Sequence, residues 1–280
     1  MTGQLTFVAV PIGNARDITL RALDILRDAD VLAAEDTRAL RRLMEIHGLA
    51  LNGRRLIAYH DHSNEKARNG VLALLSEGRH VAYASEAGTP LISDPGFHLA
   101  RAAAGEGFSV TTAPGASAVT AALTLAALPT DRFLFAGFLP NTKSARRRAL
   151  QELAPIQASL VLYESPKRIA ALLEDALATM GNRPAALCRE LTKRFEEVRR
   201  MPLEELCISV EDMPPKGEIV LVIDRAPPQA ASQEDIDAAL SNALDRLSLK
   251  DAAAEVAQTY GLNKRSVYQR ALNISRRDTN

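Results

Sequence analysis

The chain has 280 residues with Lys plus Arg equal to Asp plus Glu at 34 each, so bulk charge does not favour a polyanion and nucleic acid would have to meet a local basic patch. Two cysteines, Cys188 and Cys207, lie far apart without Cys-x-x-Cys spacing, which suggests neither a zinc knuckle nor a disulfide framework and fits a reducing cytoplasm. Met1 to Leu5 has no basic n-region and no uninterrupted apolar run reaches membrane length, so a soluble cytoplasmic protein with no membrane partner is expected.

The length favours two domains plus an appendage. Short β-rich runs alternate with helical patterns: Leu5 to Val10, helical spacing at Leu20/Leu23/Leu26, Val31 to Ala34, and a helix from Thr37 to His47. The alternation continues through Leu56 to Tyr59, a polar helix over Glu65 to Leu75, Val81 to Ala84, a helix after Gly96, and Val110 to Thr112. Pro114-Gly115 then opens a helix that stops before Pro129-Thr130-Asp131, the first boundary. A second α/β set has strands at Phe133 to Phe138, Ser159 to Tyr163, Ala185 to Cys188, Phe195 to Met201 and Ile219 to Ile223. After Ala226-Pro227-Pro228-Gln229 the pattern is purely helical. The expected domains are therefore 1–128, 129–226 and a helical tail over 231–280. In the tail, Ala257 to Gly261 has the Ala-x-x-x-Gly turn of a helix-turn-helix, followed by Lys264, Arg265, Arg270, Arg276 and Arg277. That pattern suits either DNA-type readout or an accessory helical pair touching RNA or a partner chain.

Ligands of α/β proteins gather at the carboxyl ends of strands, which here are Val10 to Asn14, Ser85 to Gly96 and Pro114 to Ala118, expected to outline one cleft. The middle loop reads as a binding loop whose Glu86 and Asp94 accept hydrogen bonds from hydroxyl or ammonium groups, or as two consecutive Pro/Gly turns. Pro114-Gly115 with Ser117 reads as an anion-holding or an ordinary helix start. No dinucleotide or P-loop glycine pattern and no Gly-x-Ser-x-Gly elbow occurs. Ala34-Glu35-Asp36-Thr37-Arg38 ends a strand with two acids and an arginine, serving either as a helix cap or as active-site chemistry. His60-Asp61-His62 has metal-like alternation but no third ligand, so no metal is assigned. Lys143 with Arg146, Arg147 and Arg148 is a solvated face or a phosphate-binding patch.

Taken together, Val10 to Thr19, Ala34 to Arg38, Ala84 to Gly96, Pro114 to Ala118, Phe135 to Pro140 and Arg189-Glu190-Leu191-Thr192-Lys193 resemble the tetrapyrrole methylase superfamily, and within it the ribosomal RNA small subunit methyltransferase I family. The resemblance spans residues 5 to 225. It implies two α/β domains of the class III methyltransferase type, S-adenosylmethionine bound between them, a homodimer, and methyl transfer to the ribose 2'-oxygen of a cytidine in the decoding region of 16S rRNA within the small ribosomal subunit. Carried over position by position, it implies that Pro11, Ser85, Glu86, Ala87, Gly88, Thr89, Pro90, Pro114, Gly115, Ala116, Ser117, Tyr163, Arg189, Gly217 and Glu218 hold the cofactor. Two departures stand out: Glu86 replaces the family's usual aspartate, and His60 to Glu65 carries an extra residue relative to His-x-His-Asn-Glu.

A ribose hydroxyl is a poor nucleophile at neutral pH, so a base within hydrogen-bond reach is needed; Glu35 and Asp36 are the candidates. Arg38, with Lys143 and Arg146 to Arg148, is expected to hold backbone phosphates. The competing readings are methylation of a tetrapyrrole precursor and a ligand-sensing, DNA-binding regulator.

Overall fold

The computed structural model describes residues 3–60, 65–227 and 233–277. Its first sheet is entirely parallel and contains β1 (Gln4–Val8), β2 (Val31–Ala34), β3 (Arg55–Ala58), β4 (His80–Ala84) and β5 (Ser109–Ala113), in the order β3-β2-β4-β1-β5. Parallel neighbours need crossovers, which α1 (Leu20–Asp28), α2 (Thr37–Ile46), α3 (Glu65–Ser76) and α4 (Phe97–Gly105) supply. Because helices cover both faces, the inner strands are apolar throughout and consecutive residues feed opposite cores. Thus Val31, Ala33, Val81 and Tyr83 join one cluster with Leu75 and Leu99, while Leu32, Ala34, Ala82 and Ala84 join another with Leu26 and Leu40. The helix starts follow local chemistry: Thr19 caps α1 by accepting from Ala22 N–H, and Asp36 caps α2 by accepting from Arg38 and Ala39 N–H.

The chain then forms α5 (Ala118–Ala126), β6 (Phe133–Phe138), α6 (Lys143–Leu153), β7 (Ser159–Glu164), α7 (Ile169–Met180), β8 (Pro184–Arg189), β9 (Glu197–Pro202), α8 (Leu203–Asp212) and β10 (Ile219–Ile223). The second sheet runs β6-β7-β10-β8-β9, parallel only between β6 and β7. Helices α6, α7 and α8 bury one face around Leu150, Leu172, Leu206 and Leu221. The opposite face, with Val161, Ala186, Cys188 and Val222, is covered by Val119, Ala122, Leu123 and Ala126 of α5.

Two differences from the sequence reading matter for the site. The first strand stops at Val8 rather than Val10, because Val10 leaves the sheet to pair antiparallel with Gly88. The helix after Pro114-Gly115 starts only at Ala118, and although it precedes residue 129 it packs on the second sheet. The two sheets accordingly share one compact unit that extends to Arg225.

Among its described residues the second unit, from Ala226 onward, has three helices: α9 (Gln233–Leu244), α10 (Leu249–Tyr260) and α11 (Lys264–Arg277). They enclose a core of Leu240, Ala252, Val256, Val267 and Ala271. Ser248 caps α10, and Gly261, in the left-handed region at φ +61°, ends it while Leu262 N–H donates to Ala257 carbonyl. Arg270, one of the basic residues after the Ala-x-x-x-Gly turn, pairs inside this unit with Asp237 and Gln233. Among the described residues no helix is long and apolar enough to cross a membrane.

Candidate functional site

The three glycine- and proline-bearing loops leave β1, β4 and β5 at their carboxyl ends and are fastened together by backbone groups. Val10 and Gly88 exchange N–H to carbonyl hydrogen bonds of 2.9 and 3.0 Å, and Ala9 N–H donates to Ala113 carbonyl at 3.1 Å. The Thr89 hydroxyl donates to Ala116 carbonyl at 3.0 Å, joining the second loop to the third. Further along, the buried Tyr83 hydroxyl lies 3.3 Å from the carbonyls of both Tyr59 and Pro95, pinning the Asp94-Pro95-Gly96 turn. Leu91 and Ser93 are held at φ +71° and +60°, conformations that side chains rarely adopt. The segment is therefore a pair of turns and a cavity wall at once.

That wall borders a cleft of about 440 Å³ between the two sheets. Ile12, Ala87 to Thr89, Ile92 to Asp94 and Ser117 line it from the first sheet's loops; Phe138, Tyr163 to Pro166 and Gly217 to Val220 line it from the second. The surroundings are largely apolar with a few convergent polar groups, the usual make-up of a small-molecule site. The acids Asp94, Glu164 and Glu218 face it, and among the described residues no lysine or arginine lines it. Burial, reinforced by the Asp94 and Glu218 charges, pushes the Tyr163 phenol up to about 12, so it stays protonated at neutral pH. Glu164 is buried; its Oε1 accepts from Ser165 N–H at 2.8 Å and its Oε2 sits 3.0 Å from the Arg168 guanidinium.

The Lys216-Gly217-Glu218 wall is held from behind. Glu190 Oε1 accepts from Glu218 N–H at 3.0 Å and from Lys193 Nζ at 3.1 Å, and Lys193 also reaches Glu218 at 3.0 Å. A Cβ at Gly217 would lie 2.2 Å from Glu190 Oε1 on a backbone at φ +85°, so a side chain there would displace Glu190 and strain the turn. Backbone donation, opposed by burial and helped by Lys193, holds the Glu190 carboxyl below its ordinary range. The same segment reaches the first sheet's loops: Asn14 N–H donates to Thr192 Oγ1 at 3.1 Å, and a Cβ at Gly13 would fall 2.5 Å from Lys193 Cγ. Glu190-Leu191-Thr192-Lys193 is thus a strap joining the cleft's two sides, a role invisible in the sequence because its partners are remote.

The loops expected to outline one cleft also line a second cavity. It is the smaller, about 210 Å³, and opens on the other side of the Val10–Gly88 pairing, lined by Val10, Pro11, Gly13, Ser85 and Glu86 together with Ala15 and residues of α2. Of the residues assigned to the cofactor, Ala87, Gly88, Thr89, Ser117, Tyr163, Gly217 and Glu218 line the larger cleft, whereas Pro11, Ser85 and Glu86 line the smaller. Pro90, Pro114, Gly115 and Ala116 line neither; Ala116 supports the wall through Thr89. Arg189 is also displaced, since its guanidinium pairs with Glu197 and donates to Lys216 carbonyl at 3.3 Å, bracing the turn from outside. Ile12, Ile92 and Ser93 lie in the loops expected to outline the cleft, without having been assigned to the cofactor, whereas sequence reasoning missed Phe138, Glu164, Ser165 and Pro166 as lining residues; Glu164-Ser165-Pro166 at the end of β7 was the available signal.

Of the two readings of Asp36, the helix cap is formed: its Oδ1 accepts from Arg38 N–H at 2.7 Å and Ala39 N–H at 3.3 Å. Those hydrogen bonds, the Arg38 backbone one first, hold its carboxyl below the ordinary range. Glu35 Oε2 accepts from Glu86 N–H at 3.1 Å, and Arg38 leans on Asp36 with its guanidinium otherwise in solvent. Arg146 is corrected as an RNA contact, being 5 % exposed and 2.6 Å from buried Asp175. Arg147 shares that carboxylate at 2.7 Å, Arg148 pairs with Glu152, and Lys143 is exposed. In the His60-Asp61-His62 motif, Asp61 and His62 lie outside the described residues; among the described residues no cluster of three His, Cys, Asp or Glu could hold a metal ion.

A family model for tetrapyrrole (corrin/porphyrin) methylases matches residues 4–207, and one described as the RsmI C-terminal HTH domain matches residues 230–275. Proteins named ribosomal RNA small subunit methyltransferase I are similar along nearly the whole chain. That of Halalkalibacterium halodurans is 40% identical, covering 95% of this chain and 93% of its own; that of Escherichia coli O157:H7 is 41% identical, covering 96% and 95%. The chain belongs to the ribosomal RNA small subunit methyltransferase I family. The family's fold is shared with solved methyltransferases: a uroporphyrin-III-C-methyltransferase from Thermus thermophilus matches with TM-score 0.56 at 24% identity, over 79% of this chain and 94% of that one. A diphthine synthase matches with TM-score 0.59 at 18% identity, over 79% and 90%. The methyl donor of this family is S-adenosylmethionine. A sulfonium and an ammonium group suit a cleft whose charged lining residues, Asp94, Glu164 and Glu218, are all acidic.

Proposed function

We propose that this methyltransferase transfers a methyl group from S-adenosylmethionine to the ribose 2'-oxygen of a cytidine in the decoding region of 16S rRNA, acting in the cytoplasm as a homodimer on the small ribosomal subunit. The observation that carries the reading is identity of 40–41% to proteins of that name over nearly the full length, including the helical unit. In the larger cleft, Ile12, Ile219 and Val220 would offer the donor an apolar wall, and Asp94 and Glu218 would hold its cationic groups.

When bound, the sulfonium supplies an already electrophilic methyl carbon. The protein therefore has to align that carbon with the acceptor oxygen and keep water out. The crossed loops do the aligning, because the Val10–Gly88 pairing and the Thr89–Ala116 hydrogen bond leave the wall little freedom. Glu35 is the base that takes the hydroxyl proton: Glu86 N–H orients its Oε2, and Oε1 has no hydrogen-bond partner among the described residues. Arg38, Lys143 and Arg148, exposed at the surface, hold backbone phosphates.

The test is transfer of labelled methyl to small subunits lacking the modification, with nucleoside mass analysis; 2'-O-methylcytidine is the expected product. Binding of the donor with no labelled RNA would move the acceptor to a tetrapyrrole or another small molecule.

A further inference from the structure

The strap that joins the cleft's two sides does not stop at Lys193. The next residues, Arg194 and Phe195, are the two corners of a turn closed by Glu196 N–H, which donates to Lys193 carbonyl at 3.1 Å. Lys193 N–H donates to Glu190 carbonyl at 3.0 Å and the Glu196 carboxylate accepts from Thr192 N–H at 2.7 Å, so this turn is locked onto the one before it. The frame holds Phe195 out in solvent: at 63% exposed it is the most exposed aromatic side chain among the described residues. The Arg194 guanidinium carbon lies 5.5 Å from its ring centroid, and no carboxylate pairs with Arg194 among the described residues.

The tip stands at the rim of the donor cleft. Lys193 Nζ lies 3.0 Å from the Glu218 carboxylate, and Glu218 lines the cleft with a side chain that is 76% exposed, which places that ion pair at the solvent edge of the wall. Phe195 follows two residues later, within about 7 Å of Lys193 along the backbone. On the other side Thr192 Oγ1 accepts from Asn14 N–H at 3.1 Å, so the tip is also fixed to the loop after β1, whose Ile12 lines the same cleft. That loop is tied in turn to the end of α2, where His47 Nε2 lies 2.9 Å from Ala15 carbonyl, and α2 carries exposed Arg38, Arg41 and Arg42 on one face by their spacing. An exposed aromatic ring among cations is the make-up of a single-stranded nucleic acid site, whereas the core of a protein interface is depleted in charge.

The acceptor ribose has to enter the donor cleft itself, because its oxygen must meet the methyl carbon in line. The nucleotides on either side then stay at the rim, and a base that has lost its stacking neighbour is stabilised by an aromatic ring in its place. We propose that Phe195 stacks on the base of a nucleotide flanking the acceptor and that Arg194 pairs with a phosphate of the same strand, so that the strap tip holds the RNA open at the mouth of the donor cleft. This rests on the RNA-methylating reading above. Both residues hold the substrate and touch neither the donor nor the reacting atoms.

The experiment compares the full-length wild type with Phe195→Ala, Phe195→Leu, Phe195→Trp and Arg194→Gln, measuring kcat and KM on unmodified small subunits, donor Kd by calorimetry, molar mass by light scattering and Tm as a check of folding. Phe195→Ala is expected to raise KM for subunits about tenfold, the ~1.4 kcal/mol of one lost base stack, with kcat and donor Kd within about twofold of wild type. Phe195→Trp should keep KM near wild type, and Phe195→Leu, apolar but without a ring face, should resemble Phe195→Ala. Arg194→Gln is expected to flatten the fall of log kcat/KM with log salt by about 0.7, the share of one phosphate on a single strand. The proposal is overturned if Phe195→Ala and Phe195→Leu keep the wild-type KM, if leucine serves as well as tryptophan, or if Phe195→Ala lowers the molar mass, which would give Phe195 to a second copy of this chain. A wild type that labels no RNA overturns the parent reading itself, and this one with it.

Discussion

Replacing Gly217 by alanine tests whether the strap from Glu190 to Lys193 shapes the donor cleft. The new methyl group would sit 2.2 Å from Glu190 Oε1, and the residue is at φ +85°, where a side chain costs ~1–2 kcal/mol. Glu190 must swing away, giving up its hydrogen bonds from Glu218 N–H and Lys193 Nζ. A hydrogen bond to a charged group is worth ~1.5–3 kcal/mol, taken at the low end because the Glu190 side chain is partly solvated. With both hydrogen bonds lost the sum is ~4–5 kcal/mol, which for a unit of this size lowers Tm by ~8–20 °C. The same movement displaces Glu218 in the cleft wall, so donor affinity should fall by about tenfold, or ~1.4 kcal/mol. Differential scanning calorimetry and isothermal titration with S-adenosylmethionine read the two effects separately. Tm within about 2 °C of wild type together with unchanged donor affinity would refute the strap as the support of this wall.

Asp175→Asn strips the buried Arg146 of its counter-charge, and urea unfolding should show a loss of ~3–5 kcal/mol with an unchanged m-value. Acid should destabilise the protein for a related reason: burial alone would raise the Asp175 carboxyl, but Arg147 and Arg146 outweigh it and hold it low, and Glu190 and Glu197 are also lowered. Carboxyls with depressed folded values stabilise above their ordinary range, near 3.8 for Asp and 4.5 for Glu, and that stability is lost as pH falls below it; Tm measured from pH 7 to pH 3 should drop chiefly under pH 4.5. Burial raises the Cys188 thiol to about 11, so iodoacetamide at pH 8 should label the half-buried Cys207 first and Cys188 only on unfolding, as peptide mass mapping would reveal. At the acceptor side, Asp36→Ser should retain turnover because serine still caps α2, whereas Glu35→Gln should depress kcat with donor Kd intact; the reverse order in single-turnover assays would return the base to Asp36.

By itself the chain determined where its elements and ligand loops fall. Short apolar runs such as Val31-Leu32-Ala33-Ala34 and Ile219 to Ile223 signal buried strands when bounded by turn residues, and Gly-Pro segments at strand ends mark loops, because both signals act over a few neighbouring residues. The motifs were local enough to carry the family resemblance as well. What only the tertiary structure decided depends on partners far away in sequence. Asp175 lies 29 residues beyond Arg146 and turns an apparent phosphate contact into a core ion pair. The helix after Pro114 reads as the close of the first domain until its apolar face is seen to complete the second sheet. Glu190 and Lys193 become structural only when Gly13 and Gly217 meet them. The second cavity beside the cleft is set off by a single backbone pairing, Val10 with Gly88, between residues whose side chains give no sign of it. Such contacts are set by how whole layers pack, and composition or spacing along a segment holds no record of which distant residue will stand opposite.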